Sequence, residues 1–390
     1  MHRRRHPRVT IAVALAIAAS AWLLAALPVR AELLVRPVGP PRAVLADPVP
    51  CAANDIPDAP ARAWRAEDGS VRLIAGQHRN RVWSGPSLDA LVRDCRIVHE
   101  GRGDPDPRAL DDRSWIAAVV TRDGRDIAAL AHMEFQGHRH PGRCPLGSYR
   151  ACWRNAVVTL RSTDGGERFA RAGEPSVVAD LPVAYSGLEG RPTGYFGPSN
   201  IIARDGSWWV WLFAEAWGPQ PRGVCLLRAP ADRWPPDWRA WDGRGFTARL
   251  DGGRAEPAAA RVCRPLPGLG STLASVVAHR PSGLLVAVEA ARRRDPAGVE
   301  RTGIWYRTAR EPTDWSSPRL LIDLPLLFAH HCEPLVYAYP SLIDPASDSR
   351  IFDSTGDRPW LYLTELTSRD CKPSMERRLV RLPLEITAAR

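Results

Sequence analysis

SWIAAVVTRDGRDIAALAHMEF, residues 114–135, contains two apolar runs separated by a polar turn with an Asp-Gly pair. The composition of both runs favours β-strands, and Asp-Gly supplies the backbone angles of a tight hairpin. A third apolar run follows at 156–160 and leads into the turn RSTDGGERF, residues 161–169. Successive short strands joined by tight turns predict an antiparallel meander.

The same arrangement of strand, turn and strand recurs along the chain. Its five copies cover residues 61–79, 114–135, 199–217, 272–290 and 338–366. Four copies are followed by a further strand with a turn or aromatic signal, and the fifth by RRLVRLPLEI at the C-terminus. Repeated units of four antiparallel strands are typical of β-propellers. We therefore predict an all-β fold, a single five-bladed β-propeller of four-stranded antiparallel blades over residues 57–390.

The composition agrees with many short strands and turns. The 390 residues include 37 Pro, 30 Gly and 15 Trp, which favours strands and turns over long helices. The net charge of +10 is concentrated partly in the first 31 residues, which carry five Arg and no acid. Because no Lys/Arg-rich run occurs elsewhere, we expect no nucleic-acid partner.

The N-terminus has the organisation of a secretory signal. A basic start, MHRRRHPR, precedes an uncharged apolar stretch that ends near Ala31. We predict a signal peptide over residues 1–31 and a secreted or periplasmic protein. The alternative is an uncleaved anchor, because the stretch is long enough to span a bilayer; only then would the membrane be a partner. Residues 32–56 form either a linker or a strand that closes the propeller.

The cysteine count is even, which in an exported protein indicates disulfides. Pairing sequence neighbours predicts four bonds: 51–95, 144–152, 225–263 and 332–371. The eight residues are Cys51, Cys95, Cys144, Cys152, Cys225, Cys263, Cys332 and Cys371.

Polar residues cluster where first strands begin and second strands end. In a propeller blade these two ends lie on one face, so five blades would bring the acids to the mouth of one channel. We predict a catalytic set there, consisting of Asp112, Glu134, Glu215 and Glu289. Paired carboxylates are what glycoside hydrolysis requires, one as proton donor and one as base or nucleophile. The alternative is that these strand-end acids simply meet solvent or pair with neighbours such as Arg113.

A second set of residues at the same ends is expected to bind substrate. Aromatic rings would stack on sugar faces, and polar groups would orient hydroxyls. The set consists of His132, Trp115, Tyr195, Asn200, Tyr339 and Glu333. GYFGPSN at 194–200 is either a sugar-binding loop or a turn between blades, and Glu333 is either an acid over the channel or a loop acid beside Cys332.

Two stretches resemble known propeller families. The pattern Ser-x-Asp-x-Gly-x-x-aromatic in RSTDGGERF resembles the Asp box of sialidases and other propellers. GIWYRTAREPTDWSSPRLLID, residues 303–323, is similar to blade repeats of the five-bladed arabinanase/xylosidase and invertase/levanase glycoside hydrolases. The resemblance covers about residues 60–390. It implies a propeller and an acidic residue before an inner strand, where Asp112 stands, whereas the invertase-type Asn-Asp-Pro-Asn-Gly motif is absent.

These observations predict an exported carbohydrate-active protein, a glycoside hydrolase that uses paired carboxylates. In this scheme Asp112 is the base or nucleophile, and Glu134, Glu215 or Glu289 is the proton donor. A non-catalytic carbohydrate- or protein-binding propeller of the cell envelope is the alternative. We expect no cofactor and no catalytic metal, with a structural calcium ion as an open alternative.

Overall fold

The computed structural model describes residues 32–44, 50–173, 176–251, 258–329 and 332–389. The segment predicted as a signal peptide, residues 1–31, lies outside the described residues. Regular structure in the described part consists of 26 β-strands and four short 3-10 helices. The fold is therefore all-β, and no helix in these ranges is long and apolar enough to cross a membrane.

Two short N-terminal strands precede five antiparallel meanders. The N-terminal strands are β1 (Leu33–Pro37) and β2 (Arg42–Ala43). Meander one consists of β3 (Arg62–Arg65), β4 (Val71–Ile74), β5 (Trp83–Gly85) and β6 (Val92–Arg93). Meander two consists of β7 (Arg113–Thr121), β8 (Ile127–Gln136), β9 (Trp153–Ser162), β10 (Ala170–Arg171) and β11 (Val177–Asp180).

The other three meanders follow a linking strand, β12 (Thr193–Phe196). Meander three consists of β13 (Ile202–Arg204), β14 (Ser207–Glu215), β15 (Gly223–Pro230), β16 (Arg239–Trp241) and β17 (Phe246–Ala248), followed by β18 (Leu250–Asp251). Meander four consists of β19 (Ser275–His279), β20 (Leu284–Arg294), β21 (Glu300–Ala309) and β22 (Arg319–Asp323). Meander five consists of β23 (Leu335–Ile343), β25 (Trp360–Arg369) and β26 (Lys372–Ala388), with β24 (Ser354–Thr355) inserted. The 3-10 helices are Gly137–Arg139, Arg150–Cys152, Ala258–Arg261 and Leu327–Ala329.

All five predicted strand–turn–strand units contain an antiparallel strand pair. Pairings between meanders were not anticipated. Strand β12 pairs in parallel with β9 and antiparallel with β14, which joins meanders two and three in one sheet. Strand β24 likewise pairs with β19 of meander four. At the N-terminus, β1 pairs antiparallel with the end of β26 and so adds a fourth strand to meander five.

The core lies between the meanders, because their long strands are apolar on both faces. Strand β8, IAALAHMEFQ, is buried at every position except the partly exposed His132. Trp64 of meander one packs edge-on against Phe169 of meander two, with ring centroids 6.3 Å apart. Trp211 of meander three meets Trp315, which follows β21, at 5.7 Å. Aromatic side chains therefore join neighbouring meanders in shared hydrophobic clusters.

The turn RSTDGGERF packs against meander one. The Asp164 carboxylate accepts a hydrogen bond from the Ser162 hydroxyl (2.6 Å) and two from backbone N–H groups farther along the turn. Gly166 has φ of +96°, and a Cβ there would lie 2.5 Å from the ring of Trp64. The turn therefore requires glycine both for its backbone conformation and for the close approach of the indole.

Arg62, the first residue of β3, joins all five meanders. The side chain is buried, and every one of its five N–H bonds has an acceptor. These acceptors, at 2.6–3.2 Å, are the carbonyl oxygens of Ala61, Ala117, Pro198 and Ala274 and the hydroxyl of Ser341. Burial lowers the pKa of Arg62 to about 9, so the guanidinium stays protonated at neutral pH. Segments of all five meanders therefore converge on one cation.

The structure contains the four disulfides expected from sequence neighbours, 51–95, 144–152, 225–263 and 332–371. The second of them closes the exposed loop between β8 and β9. The third connects β15 to the segment that precedes meander four. No cysteine is left free.

Candidate active site

The strand register brings the predicted polar ends to one edge of each meander. Arg113 at the start of β7 pairs with Glu134 near the end of β8. Gly194 of β12 pairs with Glu215 at the end of β14. The chemistry of this edge then depends on which side chains solvent can reach and which are already bound to neighbours.

Asp58, just before β3, is one carboxylate that solvent can reach. Its side chain is 15% exposed and forms an ion pair with Arg377 of β26. It also accepts a hydrogen bond from the hydroxyl of Tyr339, at 3.1 Å. Burial raises the pKa of Asp58, Arg377 and Tyr339 oppose that rise, and the negative charge of Glu134 adds to it. Asp58 is therefore a carboxyl group whose environment favours the protonated form.

Glu134 is the second accessible carboxylate, with a side chain that is 11% exposed. It lies 3.2 Å from Nε2 of His132 and accepts hydrogen bonds from Gln136 (2.7 Å) and Tyr149 (3.3 Å). Nδ1 of His132 accepts the backbone N–H of Gly197 at 3.2 Å. That bond places the proton of the neutral ring on Nε2, which donates to Glu134. The carboxylate of Glu134 therefore accepts hydrogen bonds from three side chains.

Seven aromatic and histidine rings extend past Glu134 in an unbroken series, which we call the aromatic run. Neighbouring ring centroids lie 4.8–6.1 Å apart. In spatial order the rings are His78, Trp115, His132, Phe196, Trp153, Tyr149 and His138. Tyr149 and His138 are exposed at one end. Rings of this kind present apolar faces to the C–H surfaces of sugars, beside polar groups that can fix orientation.

Three of the predicted catalytic acids are already bound to neighbouring groups. Asp112 is 3% exposed and lies 2.9 Å from Nε2 of His140. Glu289 is fully buried and forms ion pairs with Arg293 (2.8 Å) and Arg307 (2.9 Å). These two carboxylates hold strands together.

Glu215 is more exposed than Glu134 but is bound to arginines. It pairs with Arg222 at 3.0 Å and lies 3.6 Å from Arg191. The strand-end pattern in the sequence is the same for Glu215 and Glu134. The two residues differ in their partners: arginines bind Glu215, whereas uncharged donors bind Glu134.

The predicted binding residues divide into two groups. His132, Trp115 and Tyr339 lie in the site described above. Tyr195 is fully buried, and its hydroxyl donates to Gln220 at 2.8 Å. Residues Thr193–Phe196 of this stretch form the linking strand β12, and Phe196 and Gly197 contact His132 of the site.

Asn200 and Glu333 also lie outside the aromatic run. The amide of Asn200 both donates to and accepts from the backbone of Val276, at 2.7 Å each, which ties meander three to meander four. Glu333 is exposed beside Cys332, before β23.

Asp58, Tyr149 and Arg377 were missed in the sequence. Asp58 precedes β3 as Asp112 precedes β7, and that parallel was a usable signal. Tyr149 lies in the loop closed by the Cys144–Cys152 disulfide, and its spacing from β8 gave no indication of its contact with Glu134. Burial and Glu134 both raise its pKa above the ordinary range of tyrosine.

A cavity of about 710 Å³ lies beside the site. Its walls include Trp83, Glu365, Met375 and Arg377, and none of the seven rings of the aromatic run contributes to it. Within the described ranges, no group of three or more His, Cys, Asp or Glu side chains is arranged to hold a metal ion.

No family model matches the chain, and no curated protein matches it. Similar solved structures include the Cellvibrio cellulosa α-L-arabinanase complexed with arabinohexaose, at 12% identity over 83% of this chain and 90% of that chain, with a TM-score of 0.45. The endo-1,5-α-L-arabinanase of Thermotoga petrophila has 11% identity over 84% of this chain and 71% of that chain, with a TM-score of 0.48. The GH43_1 enzyme of Xanthomonas citri, complexed with xylotriose, has 13% identity over 86% of this chain and 89% of that chain, with a TM-score of 0.46. These similar structures are glycoside hydrolases, but likeness at this level supplies no argument about this chain.

Proposed function

We propose that the chain is a carbohydrate-active five-bladed β-propeller that hydrolyses glycosidic bonds. The five meanders are its blades, and β1 closes the ring through its pairing with β26. The hydrogen bonds of Arg62 to segments of all five meanders support a common axis. The four disulfides and the composition of residues 1–31 support export.

The observation that carries the proposal is the pair of solvent-reached carboxylates, Asp58 and Glu134, beside the aromatic run. Asp58 protonates the glycosidic oxygen, because burial raises its pKa and favours the form that carries the proton. Glu134 acts as the base for water or as the nucleophile, held by hydrogen bonds from His132, Gln136 and Tyr149. Two carboxyl groups whose environments differ in this way divide the acid and base roles of glycoside hydrolysis.

The roles differ from those expected from the sequence, where Asp112 is the base and Glu134 a donor. Asp112 is reached by His140 and by the backbone N–H of Gln136 at 2.9 Å. We propose that it positions the end of β8. Glu215 and Glu289, with their arginine partners, have structural roles in this scheme.

The test is release of reducing sugar by the mature protein, measured on a broad polysaccharide panel beside two variants. Glu134→Gln keeps the shape of the side chain and removes its charge. We expect it to lower the rate by about 100- to 10,000-fold. Glu376→Gln, on an exposed hairpin where it pairs with Arg369, is the matched control and keeps full activity. Equal rates for all three proteins would overturn the assignment.

A non-catalytic carbohydrate-binding propeller is the second candidate. The observation that favours it is the ion pair between Asp58 and Arg377, because a guanidinium at contact distance stabilises the ionised carboxylate. Under this alternative the protein binds oligosaccharides without releasing reducing ends. Calorimetric binding together with no cleavage across the panel would select it.

A further inference from the structure

Arg113 lies at the proposed substrate site without a protein partner. Within the described residues its side chain makes no hydrogen bond and no ion pair, although the residue is half-buried at the start of β7. Other arginines nearby are paired: Arg79 with Glu100 at 2.7 Å, and Arg102 with Asp111 at 2.5 Å. The negative charges of Asp112 and Glu134 favour its charged form, but neither carboxylate is at hydrogen-bond distance, so the five donors remain open to a ligand.

The strand register places Arg113 beside the aromatic run, because it lies opposite Glu134 and two residues before Trp115, which lies opposite His132. Its positive charge lowers the pKa of His78 and of His138, in each case after the larger effect of burial. Burial lowers the pKa of Arg113 itself, repulsion from Arg139 lowers it further, and Asp112 and Glu134 oppose this fall. Arg139 directly follows His138, the last ring of the aromatic run, so both arginines lie next to rings that can carry a sugar.

The loop at the mouth of the site is also cationic. The chain has no Asp or Glu between Glu134 and Asp164, and the exposed loop between β8 and β9 carries three exposed arginines. These are Arg139, Arg143 and Arg150. Two 3-10 helices and the Cys144–Cys152 disulfide constrain this loop, so the charges are held near the site.

We propose that the glycan recognised here is acidic, and that a uronate carboxylate binds Arg113 with support from Arg139. This inference rests on the proposed carbohydrate site. The planar guanidinium matches a planar carboxylate through two parallel hydrogen bonds. A uronate adds a single negative charge, which the two guanidinium groups attract and which Asp58 and Glu134 repel. A doubly charged phosphate would be repelled more strongly by both.

The experiment compares uronate tetrasaccharides with their methyl esters, which have the same backbone without the charge. Galacturonate, glucuronate and mannuronate forms are titrated calorimetrically into the Glu134→Gln protein, so that turnover does not interfere. Neutral arabino- and xylotetraose are titrated as well. We expect one uronate to bind about tenfold or more tightly than its ester, with an affinity that falls as salt is added.

Variants then assign the effect to the residues. Arg113→Gln and Arg139→Gln, each in the same background, are expected to remove most of the preference for acid over ester. The exposed loop position of Arg139 makes it the safer variant for folding. Arg168→Gln, on an exposed outer turn, keeps the preference and controls for overall charge.

The possible results separate the inference from the function on which it rests. Binding of neutral sugars with no preference for any uronate overturns the acidic ligand and leaves the carbohydrate site intact. Binding of a sulfated glycan, but of no uronate, overturns the carboxylate assignment. Failure of every saccharide to bind or to be cleaved overturns both proposals.

Discussion

Tyr339 of the last meander donates a hydrogen bond to Asp58 of the first, across 281 residues of sequence. Tyr339 lies at a β-bulge in β23, between Ala338 and Ser341, with φ of +57°. A bulky side chain in this left-handed conformation is strained and is typical of positions that aim a functional group. The bulge directs the phenol toward the proposed proton donor.

Removal of Arg377 is expected to shift the pH dependence of activity. The arginine lowers the pKa of Asp58 against the larger effect of burial. In the Arg377→Gln variant this opposition is lost, so the pKa of Asp58 rises further. Activity that needs protonated Asp58 falls as pH rises through that pKa, so the alkaline limb of kcat/KM moves to higher pH.

Arg378→Gln is the matched control for this shift. Arg378 is the neighbouring residue of β26, and it pairs with Glu365 instead of Asp58. Its removal should leave the alkaline limb in place. A limb that stays fixed in Arg377→Gln, or that moves to lower pH, would rule out Asp58 as the proton donor.

The sequence could predict those contacts of the site that form within one pair of neighbouring strands. The alternation of β8 places His132 and Glu134 on one face, and the two side chains are in contact. Asp-Gly turns mark where the strands reverse in three of the five strand pairs, at 68–69, 123–124 and 205–206. Local pattern is sufficient here because the partners lie within about twenty residues.

The remaining parts depend on contacts between distant segments. Asp58 has partners in meander five, so its accessibility and charge state cannot be inferred from IPDAPAR alone. Even contacts nearer in sequence are not readable from the strand ends: Glu289 and Glu134 both follow apolar runs, yet Arg307 of the next strand pairs with the first and Tyr149 of the following loop contacts the second. The sequence pattern indicates which acids lie at the strand ends but not which arginines pair with them there.

Substitution of Arg62 is expected to destabilise the whole fold. Arg62→Met removes a buried cation and takes a donor from each of five acceptors in separate meanders, although the carbonyl of Ala61 keeps the hydroxyl of Ser341 as a donor at 2.7 Å. We expect a loss of about 3–5 kcal/mol in the free energy of unfolding, measured by denaturant titration. Arg168→Met, on an exposed turn, is the control and should change stability by no more than about 0.5 kcal/mol. A similar small effect for Arg62→Met would contradict its role as a common anchor.

The close approach of Gly166 to Trp64 gives a test of the packing between meanders one and two. In Gly166→Ala the new Cβ meets both backbone strain and the indole ring 2.5 Å away. Gly69 has φ of +82° with open space around it, so Gly69→Ala carries the strain alone, about 1–2 kcal/mol. Thermal unfolding should show that Gly166→Ala is the more destabilising by at least about 1 kcal/mol. Equal losses would mean that the turn does not press on Trp64.

Loss of one disulfide is expected to lower stability more, and loss of another to lower activity more. Replacement of Cys225 and Cys263 by alanine opens a bond between residues 38 positions apart, which costs about 4 kcal/mol of unfolding free energy by chain entropy. Opening the Cys144–Cys152 bond, with a separation of 8, costs about 2.5 kcal/mol by the same relation. This second bond constrains the loop that carries Tyr149, so its loss frees the donor to Glu134 and lowers kcat/KM more than the first does. Denaturant titration measures the stability of both double variants, and kinetics measures their activity at a temperature where both are folded. A greater loss of activity in the Cys225/Cys263 variant would contradict the prediction.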